Sequence, residues 1–265
     1  MKTVLLFVFL LLSFNSMAEC RGINFSEFEK KSGSIVYVVS NIIVTSKGRT
    51  FFHYFPLDKC KSKKTFIING DKAISYASYN EFQYISYLDR KGIIHSGWVE
   101  SSRISNGKIS KHNKNFVKND FFIYFNDTKI NVGDSYGDIS EVFDDFTEID
   151  SGNKFTNVFK TVEGVDYKFY PHDFGFIYIE SSNLNYDKLK RDFDDYRITK
   201  IVLKDNVGFS SRGIFVGSKM LDVLKVYGTP TSKKNGTFMY SNDNYSISFI
   251  GSETVKEIEI SINQA

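Results

Sequence analysis

The chain has 265 residues, with 34 Lys and Arg against 31 Asp and Glu and a net charge of +3 at neutral pH. That balance excludes a strong field for nucleic acid or membranes as the main theme. With 26 Phe and 16 Tyr but only 3 Pro, the composition points to β-rich aromatic cores, in one large or two modest domains.

Met1-Lys2-Thr3 opens the chain, Val4 to Leu12 is wholly apolar, and Ser16-Met17-Ala18 closes the segment with small residues at −3 and −1. This reads as a secretory signal peptide over residues 1–18, cut after Ala18. The apolar run is shorter than the roughly 20 residues a membrane helix needs, and no later segment is apolar enough to span. The expectation is an exported, periplasmic protein, bacterial by its bias toward Asn, Lys, Tyr and Phe. ATP, NAD and genomic DNA are then poor partners, and no cofactor and no metal are expected.

Cys20 and Cys60 are the only cysteines. In an oxidising compartment such a pair is expected to be bridged, tying segment 19–33 to the first domain; the alternative is two unrelated thiols. Glu19 stands where a lipobox needs a small residue, which argues against lipidation.

Residues 34–105 carry short strands with turn chemistry between them. The runs are Ser34–Val39, Ile42–Val44, Thr65–Ile68, Ala73–Tyr79, Phe82–Leu88 and Gly97–Ile104, with turns at Asn69-Gly70-Asp71 and Asp89–Gly92. Close spacing predicts a small barrel. Phe51-Phe52-His53-Tyr54-Phe55 places five rings in a row. Alternation buries about half of such a strip, so Phe52 and Tyr54 are candidate binding residues unless a neighbouring domain covers them. Trp98, in the closing strand, is expected in the core.

Residues 106–119 are polar and Lys-rich without an apolar period, and read as a linker. Beyond them lies an internal repeat. Ile130-Asn131-Val132-Gly133-Asp134-Ser135 leads into Ile139, Val142 and Phe143; Ile214-Phe215-Val216-Gly217-Ser218-Lys219 leads into Leu221, Val223, Leu224 and Tyr227. Each is a Val-Gly turn followed by a short amphipathic helix, with Asp134-Ser135 and Ser218 as expected N-caps. Tyr227-Gly228-Thr229-Pro230 is a helix stop. Strands follow each helix: 167–170, 175–180 and 197–203 in the first copy, 237–241, 245–249 and 255–260 in the second. An insertion over 183–196 contains a further helical piece, Tyr186–Phe193. The domains are thus 34–105, 120–205 and 206–265. The fold class is mainly β with α+β, a barrel followed by one or two helix-plus-antiparallel-sheet modules.

Two resemblances attach to these residues. Gly70-Asp71, Phe82 and Gly97-Trp98-Val99 resemble the pattern of a bacterial SH3-like domain, which implies a small barrel acting as an adaptor. The segment from Arg212 to Ile262, with Val216-Gly217 and Tyr227-Gly228-Thr229-Pro230, resembles modules of the β-lactamase-inhibitor-protein and outer-membrane small-lipoprotein type. In the first copy, Phe143-Asp144-Asp145-Phe146 replaces that ending.

Catalytic signatures are missing from the sequence. His53, His95, His112 and His172 lack metal-ligand spacing, and there is no Gly-x-Ser-x-Gly or phosphate-cradling loop. His172-Asp173 reads as a surface turn. Asp144-Asp145, Asp192 and Asp194-Asp195 read as acidic outer positions of helices rather than paired acids. No catalytic residue is expected. The hairpin Ser241-Asn242-Asp243-Asn244-Tyr245 has a composition suited to recognition, which adds Asp243 and Tyr245 as binding candidates. The expected role is a non-catalytic protein-binding protein: an inhibitor or immunity protein against an envelope-acting toxin or hydrolase, as in type VI or contact-dependent competition. The alternative is a peptidoglycan-binding adaptor working through the SH3-like domain.

Overall fold

Short runs of alternating apolar and polar residues bury one side of a strand and wet the other. This computed structural model describes residues 20, 35–109, 116, 120–125, 128–149, 158–162, 164–184 and 196–263. The expected signal peptide, segment 21–33, most of the linker and the helical piece at 186–193 lie outside the described residues. The protein is mainly β, with three antiparallel sheets.

The first sheet has seven strands: β1 (Val36–Val44), β2 (Arg49–His53), β3 (Lys61–Ile68), β4 (Lys72–Tyr79), β5 (Phe82–Leu88), β6 (Ile94–Glu100) and β7 (Ile104–Ile109), in the order β3-β2-β6-β5-β4-β1-β7. The chain stays in this sheet to Ile109, beyond the limit at 105 expected from sequence. One face encloses a small core of Ile42, Val44, Phe52, Ile67, Ala73, Ile85, Val99 and Ile104. Tyr37, Tyr76, Tyr79, Phe82, Tyr84 and Trp98 belong instead to a second, larger core that continues into the rest of the molecule. Trp98 is 2% exposed, with Tyr79 and Tyr84 edge-on to it at 6.5 and 5.5 Å.

A three-stranded sheet follows, ordered β14-β8-β9, from β8 (Phe122–Phe125), β9 (Thr128–Asn131) and β14 (Gly208–Ser210). The third sheet has eight strands. Its first half is β10 (Val158–Val162), β11 (Val165–Asp173), β12 (Ile177–Ser182) and β13 (Arg197–Leu203). Its second half is β15 (Ser232–Lys234), β16 (Thr237–Ser241), β17 (Tyr245–Gly251) and β18 (Val255–Ile262). The order β10-β11-β12-β13-β18-β17-β16-β15 sets two four-stranded meanders back to back, joined at their last strands. Two apolar rows cross the join on the buried face. One runs Ile177, Leu203, Ile258, Phe249, Phe238; the other runs Ile179, Ile201, Ile260, Ile247, Tyr240.

The two Val-Gly turns dock on this sheet through the same hydrogen bonds. Gly133 N–H donates to Ile198 O, and Ile198 N–H to Asp134 O; Gly217 N–H donates to Val255 O, and Val255 N–H to Ser218 O. The expected capping differs. Ser135 and Lys219 are the N-caps, and neither side chain makes a cap bond. Asp134 and Ser218 instead close the preceding turn, accepting from Asn131 N–H at 2.9 Å and Phe215 N–H at 3.2 Å. The helix Met220–Tyr227 stops where expected, with Gly228 at φ 79° donating to Leu224 O. Its counterpart is one turn, Tyr136–Ile139, continued by a 3-10 turn to Phe143.

The seam between the seven-stranded sheet and the rest is polar as well as apolar. Tyr37 Oη donates to Gly213 O at 3.1 Å, and Tyr84 Oη donates to Ser211 O at 3.4 Å. Gly213 sits at φ 79°, and a Cβ there would stand 3.0 Å from the Tyr84 ring, so the turn needs glycine for both conformation and space. Arg212 is 3% exposed. Its guanidinium lies over Phe116, Tyr227 and Tyr76 at 4.6, 4.9 and 5.5 Å, and 3.9 Å from the Asp120 carboxylate. Phe116, inside the segment read as a linker, is thus an anchor, and its carbonyl accepts from Asn242 Nδ2.

Candidate functional site

The four binding candidates fall in different environments. Phe52 is 3% exposed and points into the small core. Phe51 takes the outward place, because Thr50 and Phe52 share the inner side of β2. Tyr54 is half-buried, with its hydroxyl toward Ser62 Oγ at 3.4 Å. Asp243 is exposed at the tip of the β16–β17 hairpin. Tyr245 is half-buried and turned inward, its ring 5.6 Å from Phe121. Asn242 closes the hairpin, its Oδ1 accepting from the N–H groups of Asn244 and Tyr245. Of the hairpin residues first considered, Asp243 presents itself outward and Tyr245 serves the core.

The larger feature is the other face of the eight-stranded sheet. Opposite the buried rows, Asp173, Tyr178, Val202, Glu259, Ser248, Met239 and Ser232 form one continuous line across seven strands. Glu180, Lys200, Ser261, Ser246 and Ser241 form a parallel line. Tyr178, Lys200, Glu259, Ser248 and Met239 are half-buried, while Val202, Glu180 and Ser246 are buried. Lys200 pairs with Glu259 at 3.5 Å. Lys204 pairs with Asp173 at 2.8 Å and reaches over the Tyr178 ring at 5.5 Å. Burial, with Glu180, Asp173 and Glu259 nearby, pushes the Tyr178 hydroxyl up to about 12, so it remains a donor at any physiological pH. The face thus offers one aromatic ring, one thioether, paired charges and several hydroxyls on a rigid frame. At about 4.8 Å between neighbouring strands the longer line extends about 29 Å across the sheet.

A second cluster was not legible in the sequence. His172 Nδ1 lies 3.3 Å from Glu148 Oε1, its Nε2 lies 3.0 Å from Ser181 Oγ, and Tyr136 stacks on the ring at 3.8 Å. The carboxylate places the proton on Nδ1, so Nε2 accepts from the Ser181 hydroxyl. Burial holds the imidazole below its ordinary pKa, with Glu148 opposing. The connectivity matches a Ser–His–carboxylate relay. Ser181, however, is 1% exposed, out of reach of a substrate. The cluster pins the irregular segment after Phe143 and the helix Tyr136–Ile139 to β11 and β12. Among the described residues no three His, Cys, Asp or Glu side chains converge as a metal site, and no helix is long and apolar enough to cross a membrane. The Cys20–Cys60 bridge is present.

Comparison with known protein families, curated proteins and solved structures finds no match.

Proposed function

We propose that this chain is an exported, non-catalytic binding protein, specifically an inhibitor or immunity protein that neutralises a toxin or hydrolase acting in the cell envelope. The observation that carries this reading is the polar, partly exposed face of the eight-stranded sheet, opposite its apolar rows. It runs across seven strands and carries Tyr178, Met239, Lys200 and Glu259 near its middle. Such a surface needs no chemistry of its own, because occluding an active site requires only shape and a few anchors. The disulfide is weakly compatible with an oxidising compartment.

The test is inhibition. Purified mature protein is titrated against envelope hydrolases and toxins encoded beside its gene, and activity and complex stoichiometry are read together. The expected result is a 1:1 complex with loss of the partner's activity, weakened about tenfold or more by Tyr178→Ala with Lys200→Glu. Sedimentation with isolated cell wall and no inhibition would favour the peptidoglycan-adaptor reading instead. Hydrolysis by the purified protein itself would overturn both.

A further inference from the structure

The seven-stranded sheet carries a second surface, separate from the face proposed above. Residues 45–72 hold seven Lys and Arg against two Asp, a surplus of five in a chain whose total is +3. The rest of the protein is therefore net acidic, and this stretch is basic, with Lys61 paired to Glu100 at 3.7 Å. Among the described residues, the strand β3 lies at the end of its sheet and pairs only with β2.

On the outer side of that strand pair, Phe51 faces Phe66 and Arg49 faces Ile68. Phe66 is 38% and Ile68 50% exposed. The rings meet edge-on at 5.7 Å. The Arg49 guanidinium lies over Phe66 at 4.4 Å, and the Lys61 ammonium lies over Phe51 at 5.4 Å. Lys63 and Lys64 are exposed on the same strand. Cations and apolar side chains thus lie together along a strand edge that pairs with nothing further among the described residues.

We infer that this edge is a docking site for an extended acidic segment of a partner protein, lying along β3. Its carboxylates would pair with Arg49, Lys63 and Lys64, and an apolar side chain would rest on Phe66 and Ile68. Charge complementarity selects the acidic partner, and a terminal strand is the geometry for adding an extended chain. The cation-capped rings favour a polypeptide over a lipid surface, because a ring covered by a charged group is poorly placed to enter acyl chains.

The probe is a fluorescein-labelled decapeptide of alternating Glu and Val, followed by anisotropy at low salt. Arg49→Glu is expected to weaken binding about tenfold, and Lys63→Glu with Lys64→Glu by a similar factor. The charge-matched control Lys233→Glu with Lys234→Glu, on the exposed edge strand β15, should stay within about twofold. Bound peptide should slow amide exchange across Phe66–Ile68. Trp98 emission checks that each variant is folded; where Arg49→Glu perturbs it, the Lys63/Lys64 variant carries the comparison. No binding, equal loss in the control, or preference for phosphatidylglycerol vesicles over the peptide would each overturn the inference.

Discussion

Gly133 and Gly217 make the same hydrogen bond in the two halves of the large sheet, to Ile198 O and Val255 O, each at 2.8 Å. Both lie in the left-handed region, at φ 93° and 109°. Nothing stands within 4 Å of a Cβ at Gly133, and only the Phe215 ring, at 3.8 Å, at Gly217. An added methyl group meets no clash, so the cost is conformational. Gly133→Ala and Gly217→Ala should each destabilise by about 1–2 kcal/mol. Urea midpoints measure this; a loss at one site alone would mean that the two turns are not energetically equivalent.

Trp98 is the one tryptophan of the chain, and it sits on the side of β6 that faces the larger core. Trp98→Ala should therefore cost about 3–5 kcal/mol. In the parent protein its fluorescence should change together with the far-ultraviolet signal in a single urea transition, because one core serves both sides of the seam. Two separate transitions would show that the seven-stranded sheet unfolds alone.

His172 makes stability depend on pH with a definite sign. Its folded pKa is lowered by burial from the ordinary 6.5. The unfolded chain therefore binds the proton more readily, and the stability from this group is complete above 6.5 and lost as pH falls toward the folded value. Glu148 and Tyr136, which face the ring, and Ser181 are the groups a protonated imidazole would meet. His172→Gln should flatten the fall in urea midpoint below pH 6.5 relative to the parent. Parallel pH profiles for the two proteins would contradict the assignment.

Much of the local structure was legible in the sequence. Period-2 alternation placed the strands from Ala73 to Tyr79 and from Val255 to Ile260. The Val-Gly turns and the helix stop at Gly228 were legible as well, because each depends on neighbours within a few residues. Alternation also stated that about half of the Phe51–Phe55 strip is buried. It could not state which half, since shifting a strand by one residue exchanges its faces, and the structure turns Phe52 inward and leaves Phe51 out.

What tertiary structure alone decided are the contacts between distant segments. The pairing of β13 with β18, which makes one eight-stranded sheet of two meanders, depends on strand edges that carry no residue code. The sharing of one core across the seam is decided there too: Tyr76, Phe116 and Tyr227 come together around Arg212 only after the sheets have packed. Likewise His172, Glu148 and Ser181 are ordinary residues in sequence and become a cluster only when β11 pairs with β12 and the segment at Ile149 bonds to Asp173. Local periodicity determines which elements form, because it acts through neighbours along the chain. Their faces and partners are set by burial summed over the whole molecule.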